Sequence, residues 1–213
     1  MRRGLFISFE GGEASGKTEQ AKRLADALER DGREVVLTRE PGGTPLAERV
    51  RDVLLHAKDV PLGPEAQLLL FSAARAEHVR DVIRPALSAG KVVITDRFFD
   101  STAVYQGAAQ GLDPEQVRAV TAFAVGDTRP RRTYLLDLAV ERAFARRSSE
   151  ASRQWDRFET SEREFHERLR EAYLRLAAAE PDRILVIDGD REPVAIARDI
   201  RSDVDTLLQA VPK

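Results

Sequence analysis

The sequence contains no cysteine, so its 213 residues form no disulfide, hold no cysteine-ligated metal and use no thiol nucleophile. The net charge is only −2, so no global basic field indicates a nucleic acid partner. No apolar run approaches the roughly 20 residues that span a bilayer. The opening MRRGLFISFEGG reaches glycine and glutamate too soon for a secretory signal. We expect a cytoplasmic protein with neither a membrane nor a nucleic acid as partner.

Lysine is also scarce, with 5 lysines against 29 arginines. Arginine's planar fork suits phosphate oxygens, but genomic base composition accounts for most of such a bias. Only arginines placed by a motif therefore count as evidence of function. The apolar fraction of 42% and the charged fraction of 33% are ordinary for a globular protein, and the length suits one domain over residues 1–213.

Short apolar runs alternate with helical patterns along the chain. Strands are predicted at 5–9, 34–38, 91–95, 133–138 and 183–188. Helical patterns cover 18–32, 45–55, about 65–88 with a kink near Pro85, about 100–110, 114–125, much of 139–180, and 193–211. This alternation predicts an α/β fold, in which a parallel five-stranded sheet is flanked by helices on both faces.

Residues 139–160 differ in composition from the rest of the chain. The segment is polar and arginine-rich and has few apolar residues to anchor it. We expect a mobile lid here, one that closes over a bound ligand and excludes water.

The stretch GGEASGKT fits G-x-x-x-x-G-K-[ST] and stands between a predicted strand and a predicted helix, the context of a phosphate-binding loop. The loop comprises Gly11, Gly12, Glu13, Ala14, Ser15, Gly16, Lys17 and Thr18. Its glycines let backbone N–H groups face phosphate oxygens, and the following helix start adds further donors. Lys17 is expected at the β- and γ-phosphates of a nucleotide, and Thr18 at Mg²⁺.

Two other strands end in charged motifs. REPGGTPLAE places Arg39 and a turn at Pro41 after the second strand, and VVITDRFFDSTAVYQG places Asp96 and Arg97 after the third. Ligands of open α/β sheets lie at the carboxyl ends of the strands. We therefore expect these residues beside the phosphate loop, with Asp96 holding Mg²⁺ through water.

Two helical faces carry further candidates. Ser101, Thr102 and Tyr105 are three to four residues apart, so one face presents two hydroxyls and a phenol to a small polar ligand. Phe71 and Arg75 share a face at i and i+4, where a ring can stack on a base and a guanidinium can bind its edge or a phosphate. The alternative is that Phe71 belongs to the core and Arg75 to the solvated surface.

FEGGEASGKT, TREPGGT, LFSAARAEHV and DRFFDSTAVYQG resemble, in order and spacing, the motifs of the thymidylate kinase family. The similarity runs from about Leu5 to Gly107 and resumes at DRFE and the last strand. The resemblance implies a P-loop nucleoside monophosphate kinase fold with a lid. It also implies a homodimer and transfer of a phosphoryl group from ATP to dTMP, with Mg²⁺, in dTTP synthesis.

The resemblance also implies roles for individual residues. Glu13 takes the place of the acidic loop residue that organises the metal and substrate. Phe71 is expected to stack on thymine and Tyr105 to lie under the deoxyribose, where a ring leaves little room for a 2′-hydroxyl. The remaining implied contacts to dTMP are the base edge for Arg75 and Gln106, and the phosphate for Arg39 and Arg97.

The sequence departs from the family pattern at Ala14, Glu19 and Phe98. Some family members carry an arginine at the Ala14 position, where it can serve as an arginine finger. Without it, the charge must come from elsewhere, and we rank Arg153 and Arg147 of the lid segment first.

Two alternatives remain open at this point. The chain can be a kinase of another nucleotide or deoxynucleoside, or a nucleotide-binding switch that does not catalyse a reaction. The Asp96-Arg97 pair and the arginine-rich segment weigh against the switch, because both suit a charged transition state.

Overall fold

The computed structural model describes residues 4–57, 59–148, 158 and 162–210; the side chains of 147, 148 and 210 are outside this description. Five parallel strands form one sheet in the order β2-β3-β1-β4-β5. The strands are β1 Leu5–Glu10, β2 Val35–Arg39, β3 Val92–Asp96, β4 Arg132–Asp137 and β5 Ile184–Asp188. The predicted fold class and the five strands are confirmed, with boundaries shifted by one residue or so.

Helices connect the strands as the sequence predicts. They are α1 Lys17–Arg30, α2 Pro45–Arg51, α3 Pro64–His78, α4 Arg84–Ser88, α5 Phe99–Thr102, α6 Pro114–Val125, α7 Val140–Ser148, α8 Arg163–Ala179 and α9 Pro193–Ala210. Three π-helical segments, Asp52–His56, Val79–Ile83 and Ala103–Ala109, directly continue α2, α3 and α5. The single long helix predicted over 65–88 is therefore three consecutive pieces, and Pro85 lies in the first turn of α4, directly after the π-helical segment.

The strand β1 lies at the centre of the sheet, between β3 and β4. All six of its residues are buried, as expected for a parallel strand covered on both faces. In the register, Ile7 lies beside Ile94 of β3 and Arg132 of β4. Because the strands are parallel, their carboxyl ends meet at one edge, where Phe9, Asp96 and Arg39 are successive neighbours.

The core lies on both faces of this sheet. One face packs Phe9 and Tyr134 with Leu28 of α1 and Ile200 of α9. On the other face, one cluster joins β4 to α8 and the 103–109 segment, and a second packs β1 and β3 against the 79–88 region and Phe98. Successive side chains of a strand point to opposite faces of the sheet, so the strands contribute to hydrophobic layers on both faces.

A buried ion pair ties α5 to the start of β5. The Arg183 guanidinium donates to both oxygens of Asp100, at 2.7 and 2.8 Å, and also to the hydroxyl of Thr133 at 2.9 Å. Asp100 is buried, so its charge is tolerated only because these donors surround it. The link fixes the region after β3 against the opposite half of the sheet.

No helix in the described ranges is long and apolar enough to cross a membrane.

Candidate active site

The phosphate loop joins the end of β1 to the start of α1. Gly11 and Gly16 adopt φ of 136° and 94°, which favour glycine. A Cβ on Gly11 would stand 2.4 Å from the carbonyl oxygen of Leu136, so the position has no room for a side chain. Among the described residues no side chain caps the start of α1, which leaves its first-turn N–H groups available for an anion.

Lys17 lies folded into this loop. Its Nζ donates to the carbonyl oxygen of Gly12 at 2.6 Å, as does the Ser15 hydroxyl at 2.8 Å. Burial and the nearby positive charge of Arg97 lower the pKa of Lys17, while the carboxylates of Glu13 and Asp96 act against them. The hydrogen bond to the Gly12 carbonyl places the ammonium group inside the loop.

Thr18 and Asp96 meet at the mouth of the loop, where the threonine hydroxyl donates to Asp96 Oδ2. Hydroxyl and carboxylate oxygens suit Mg²⁺, which in nucleotide sites takes one or two carboxylates and completes its shell with phosphates and water. The described residues contain no cluster of three or more His, Asp or Glu side chains that would hold a metal unaided. The donors fit a magnesium ion that arrives with a nucleotide.

Arg97 connects the phosphate loop to the residues after β3. It adopts a left-handed φ of 69°, donates to the Gly11 carbonyl at 3.0 Å and to Glu13 Oε1, and lies 5.4 Å from the ring centroid of Tyr105. The Tyr105 hydroxyl donates to the same Glu13 oxygen at 2.9 Å. Three residues from two predicted motifs, Glu13 from the phosphate loop and Arg97 and Tyr105 from DRFFDSTAVYQG, thus form one cluster.

The Glu13–Arg97 pair is ionised at neutral pH. Burial disfavours the Glu13 carboxylate, but the charges of Arg97 and Lys17 and the Tyr105 hydrogen bond outweigh it and lower the Glu13 pKa to about 2. Burial likewise disfavours charge on Arg97, yet Glu13 raises the pKa of Arg97 well above its usual value. Both side chains therefore stay charged beside the loop, the carboxylate negative and the guanidinium positive.

Glu10 is a functional candidate that the sequence analysis missed. Its side chain is 1% exposed and accepts from the N–H of Phe98 at 2.8 Å, the Ser101 hydroxyl at 2.7 Å and the Tyr173 hydroxyl at 3.0 Å. The available signal was a glutamate at the end of an otherwise apolar strand, next to the phosphate loop. Its partner Tyr173 comes from α8, which no local pattern connects to β1.

Burial raises the pKa of Glu10 to about 7, and the negative charge of Asp100 adds to this effect. The charge of Arg97 and the hydrogen bonds from Ser101 and Phe98 act in the opposite direction. Glu10 therefore titrates near neutrality while it holds the segment that carries Arg97.

Arg39 and Pro41 lie at the edge of the same crevice. Arg39 donates to both oxygens of Glu48 on α2, at 2.9 and 3.1 Å, and is exposed. The Glu40–Pro41 peptide is cis, and the Pro41 carbonyl accepts from Arg51 at 2.9 Å. Arg39 is thus beside Asp96 in the sheet and accessible to a ligand.

Arg75 is 2% exposed, which excludes the solvated-surface alternative. It donates to Glu40 at 2.7 Å, Thr102 at 3.0 Å and the Phe98 carbonyl at 3.3 Å. A guanidinium has five N–H donors, and these partners in the described chain use three of them. Two N–H groups remain for the edge of a base.

The other predicted contacts of the base lie around an aromatic cluster. Phe71 is half-buried, with its ring centroid 6.2 Å from that of Phe158, and Tyr105 lies 5.5 Å from the same ring. Gln106 is buried, and its side-chain amide donates to the side-chain oxygen Oε1 of Gln67 at 3.4 Å. The Thr102 hydroxyl accepts a hydrogen bond from Arg75, whereas the Ser101 hydroxyl donates one to Glu10.

Within the lid segment 139–160, the structure describes residues 139–148 and 158. Arg146 of α7 donates to the carbonyl of Ala14 in the phosphate loop at 3.2 Å and to that of Gly189 at 2.9 Å. Arg142 pairs with Asp190 at 3.0 Å. Arg153 and the side chain of Arg147, our first-ranked arginines, lie outside the described part of the chain.

Glu10→Gln should change how stability depends on pH. Between about pH 4.5 and 7 the folded chain binds more protons at Glu10 than the unfolded chain, so this carboxyl's contribution to stability falls as pH rises. The glutamine cannot titrate. Urea unfolding at pH 5 to 8 should show wild type losing roughly 1–3 kcal/mol relative to the variant. The exposed control Glu171→Gln should run parallel to wild type, and parallel curves for Glu10→Gln would refute the raised pKa.

Comparison with known proteins agrees with this geometry. The family model described as thymidylate kinase matches residues 9–200. A thymidylate kinase of Symbiobacterium thermophilum is 49% identical over 204 residues, covering 96% of this chain and 94% of the relative. One from Synechococcus sp. is 50% identical and covers 98% of this chain and 100% of the relative. The crystal structure of thymidylate kinase from Ehrlichia chaffeensis matches with a TM-score of 0.74 at 34% identity, covering 97% of this chain and 99% of that one. The chain belongs to the thymidylate kinase family.

Proposed function

We propose that the residues of this site transfer the γ-phosphoryl group of ATP to the phosphate of dTMP, giving ADP and dTDP. One observation carries the assignment of roles. Arg97, expected at the acceptor phosphate, donates to the Gly11 carbonyl of the phosphate loop and pairs with Glu13. A phosphate bound by Arg97 therefore lies against the loop that would hold the donor phosphates, as in-line transfer requires.

On the donor side, the loop amides and the start of α1 bind the phosphates of ATP. Lys17 leaves the Gly12 carbonyl and follows the charge that develops on the transferring group. Thr18 and Asp96, with Glu13 nearby, hold Mg²⁺ on the nucleotide. When bound, the ion neutralises charge on the β- and γ-phosphate oxygens.

On the acceptor side, Phe71 stacks on thymine, and Arg75 and Gln106 bind the base edge. Arg75 suits this role because Glu40 and Thr102 hold it rigidly while two of its N–H groups remain. Arg39 joins Arg97 at the dTMP phosphate. The Tyr105 ring, fixed by Glu13 and Arg97, lies under the deoxyribose and disfavours a 2′-hydroxyl.

A lid over residues 139–160 completes the single catalytic domain, 1–213. The contact of Arg146 with the carbonyl of Ala14 supports the proposal, because it brings a lid arginine to the loop position that lacks one. Arg147 and Arg153 remain our candidates for the arginine that stabilises the transition state.

We also propose a cytoplasmic location, supported by the use of ATP and dTMP.

ADP release on addition of dTMP tests the reaction, with a panel of other monophosphates to define the substrate.

Lys17→Ala should lower turnover by roughly 10²-fold or more, the scale for removing one electrostatic stabiliser. Lys22→Ala is a matched control, because Lys22 is exposed on the same helix and pairs with Asp26, away from the phosphate loop. Alanine variants of Arg146, Arg147 and Arg153, assayed alongside, should lose turnover more than ATP affinity if one of them acts in the transition state. Normal turnover in folded Lys17→Ala would remove Lys17 from the mechanism.

Phe71→Ala should weaken dTMP binding by roughly 1–3 kcal/mol, the range for base–aromatic stacking. Phe71→Leu keeps an apolar side chain that fills the site but removes the ring, so it separates stacking from packing. Both variants should lose dTMP affinity in calorimetric titrations and keep ATP affinity. Equal loss of both ligands, or full affinity in Phe71→Leu, would mean that the ring has no role in base binding.

We further propose a homodimer, formed through α2, α3 and α6. Phe123 on α6 is 94% exposed, and Leu46 and Leu69 on α2 and α3 are also exposed. Such side chains on adjoining helices suit an apolar self-complementary interface. Sedimentation velocity should give a dimer for wild type and a larger monomer fraction for Phe123→Asp. A wild-type monomer at micromolar concentration would refute the proposal.

A further inference from the structure

A second cavity lies on the other side of the 103–109 segment from the candidate active site. It has a volume of about 750 Å³ and lies between α5, the 103–109 segment, α6 and α8. Its apolar lining includes Ala103, Val104, Gly107, Val117, Val125 and Leu176. Neither the phosphate loop nor Arg97 contributes to it. The volume lies within the range of cavities that hold small ligands, roughly 300–1,000 Å³.

The charged lining of this cavity has a positive excess. Arg118, Arg129 and Arg175 line it, together with the acidic Asp100 and Glu180. Both acidic side chains already accept hydrogen bonds from Arg183, whose positive charge offsets part of their negative charge.

Two of the three arginines, Arg118 and Arg129, make no salt bridge with a described residue, although the charge of Arg129 contributes to the lowered pKa of Glu180 in the same lining. Arg129 lies 5.3 Å above the ring centroid of Phe99. Neither it nor Arg118 makes a salt bridge within the part of the chain that the structure describes, whereas Arg175 pairs with Glu171 at 3.4 Å. The cavity is therefore apolar inside, and its lining holds two arginines that make no salt bridge with the described part of the chain.

A third observation is the hydroxyl of Thr121, which also lines the cavity. Its Oγ1 is shielded from solvent and makes no hydrogen bond with any described residue. Shielded polar atoms are normally paired. An occupant with a polar atom at this depth would supply the missing partner.

We propose that this cavity binds a small amphipathic organic anion, with an aromatic or aliphatic body among the apolar residues and a carboxylate, sulfonate or phosphate beside Arg118 and Arg129. The concave shape and the volume suit a compact molecule. The positive charge selects an anion over a neutral body of the same size.

The site is placed to influence the substrate. Ala103, Val104 and Gly107 face the cavity from the same helical segment that carries Tyr105 and Gln106. An occupant that shifts this segment changes dTMP affinity, and dTMP changes the affinity of the occupant by the same factor. This coupling rests on the proposed function, whereas binding in the cavity does not.

Fluorescence titration with 1-anilinonaphthalene-8-sulfonate tests the binding proposal, in saturating dTMP and ADP to block the candidate active site. We expect one probe bound per chain. Ala108→Phe and Ala122→Phe, at exposed positions of the lining, should abolish binding without lowering the melting temperature. Arg129→Gln and Arg118→Gln should each weaken binding about 3- to 10-fold, as for a partly solvated charge contact. The matched control Arg198→Gln, on the exposed face of α9, should have no effect.

The uncharged N-phenyl-1-naphthylamine separates the apolar part from the charged part. It should bind more weakly than the sulfonate and should not respond to Arg129→Gln. Equal binding of the two probes would refute an anion site. Retained binding in both filling variants would place the probe elsewhere and refute the cavity. Sulfonate binding that appears only on dilution would mean that a second copy of the chain covers the cavity, which also overturns the proposal. Kinase activity enters none of these outcomes.

Discussion

A carboxylate buried at the end of a central strand is unfavourable unless donors surround it, and Glu10 is surrounded by the amides of Phe98 and Ser101 and the hydroxyls of Ser101 and Tyr173. These donors come from the segment after β3 and from α8. Glu10 thereby fixes the backbone around Arg97, whose left-handed φ of 69° is sterically unfavourable for a side chain larger than glycine. Glu10 thus positions the Arg97 backbone, while the Gly11 carbonyl and Glu13 hold its guanidinium directly.

The charges of the site are arranged around Arg97 and Lys17, two buried cations that each disfavour the other. Glu13 interacts with both cations, and its negative charge offsets their repulsion in the absence of a ligand. Negative phosphate oxygens would replace the carbonyl and carboxylate oxygens that now occupy these donors. The site therefore needs little reorganisation to accept a highly charged ligand, because its cations are already desolvated and fixed by packing. The contact of Arg146 with the Ala14 carbonyl extends this positive surface to the lid.

The sequence predicted the parts of the site that local chemistry determines. The phosphate loop, Asp96 and Arg97 follow from glycines and charges placed at strand ends, and the parallel sheet brings those ends together. Glu10 and Tyr173 could not be paired from the sequence, because they are 163 positions apart and Tyr173 lies in no motif. The buried state of Arg75 was equally inaccessible, since it depends on Glu40, which comes from a different strand end. Pairings between distant elements decide whether a polar residue is solvated or structural.

The π-helical segment 103–109 relates the candidate active site to the second cavity. A π-helical segment widens the helix and shifts the direction of successive side chains, and such segments are frequent at functional sites. Here Tyr105 reaches Glu13 and Gln106 reaches Gln67 on one side. On the other side, Ala103, Val104 and Gly107 line the second cavity, and a Cβ on Gly107 would make only an ordinary contact with Val117 of α6, at 3.8 Å. The same irregularity that directs two side chains towards the substrate therefore leaves unfilled volume behind them. That volume lets the segment adjust its position, and a ligand that fills it would fix the segment in one arrangement.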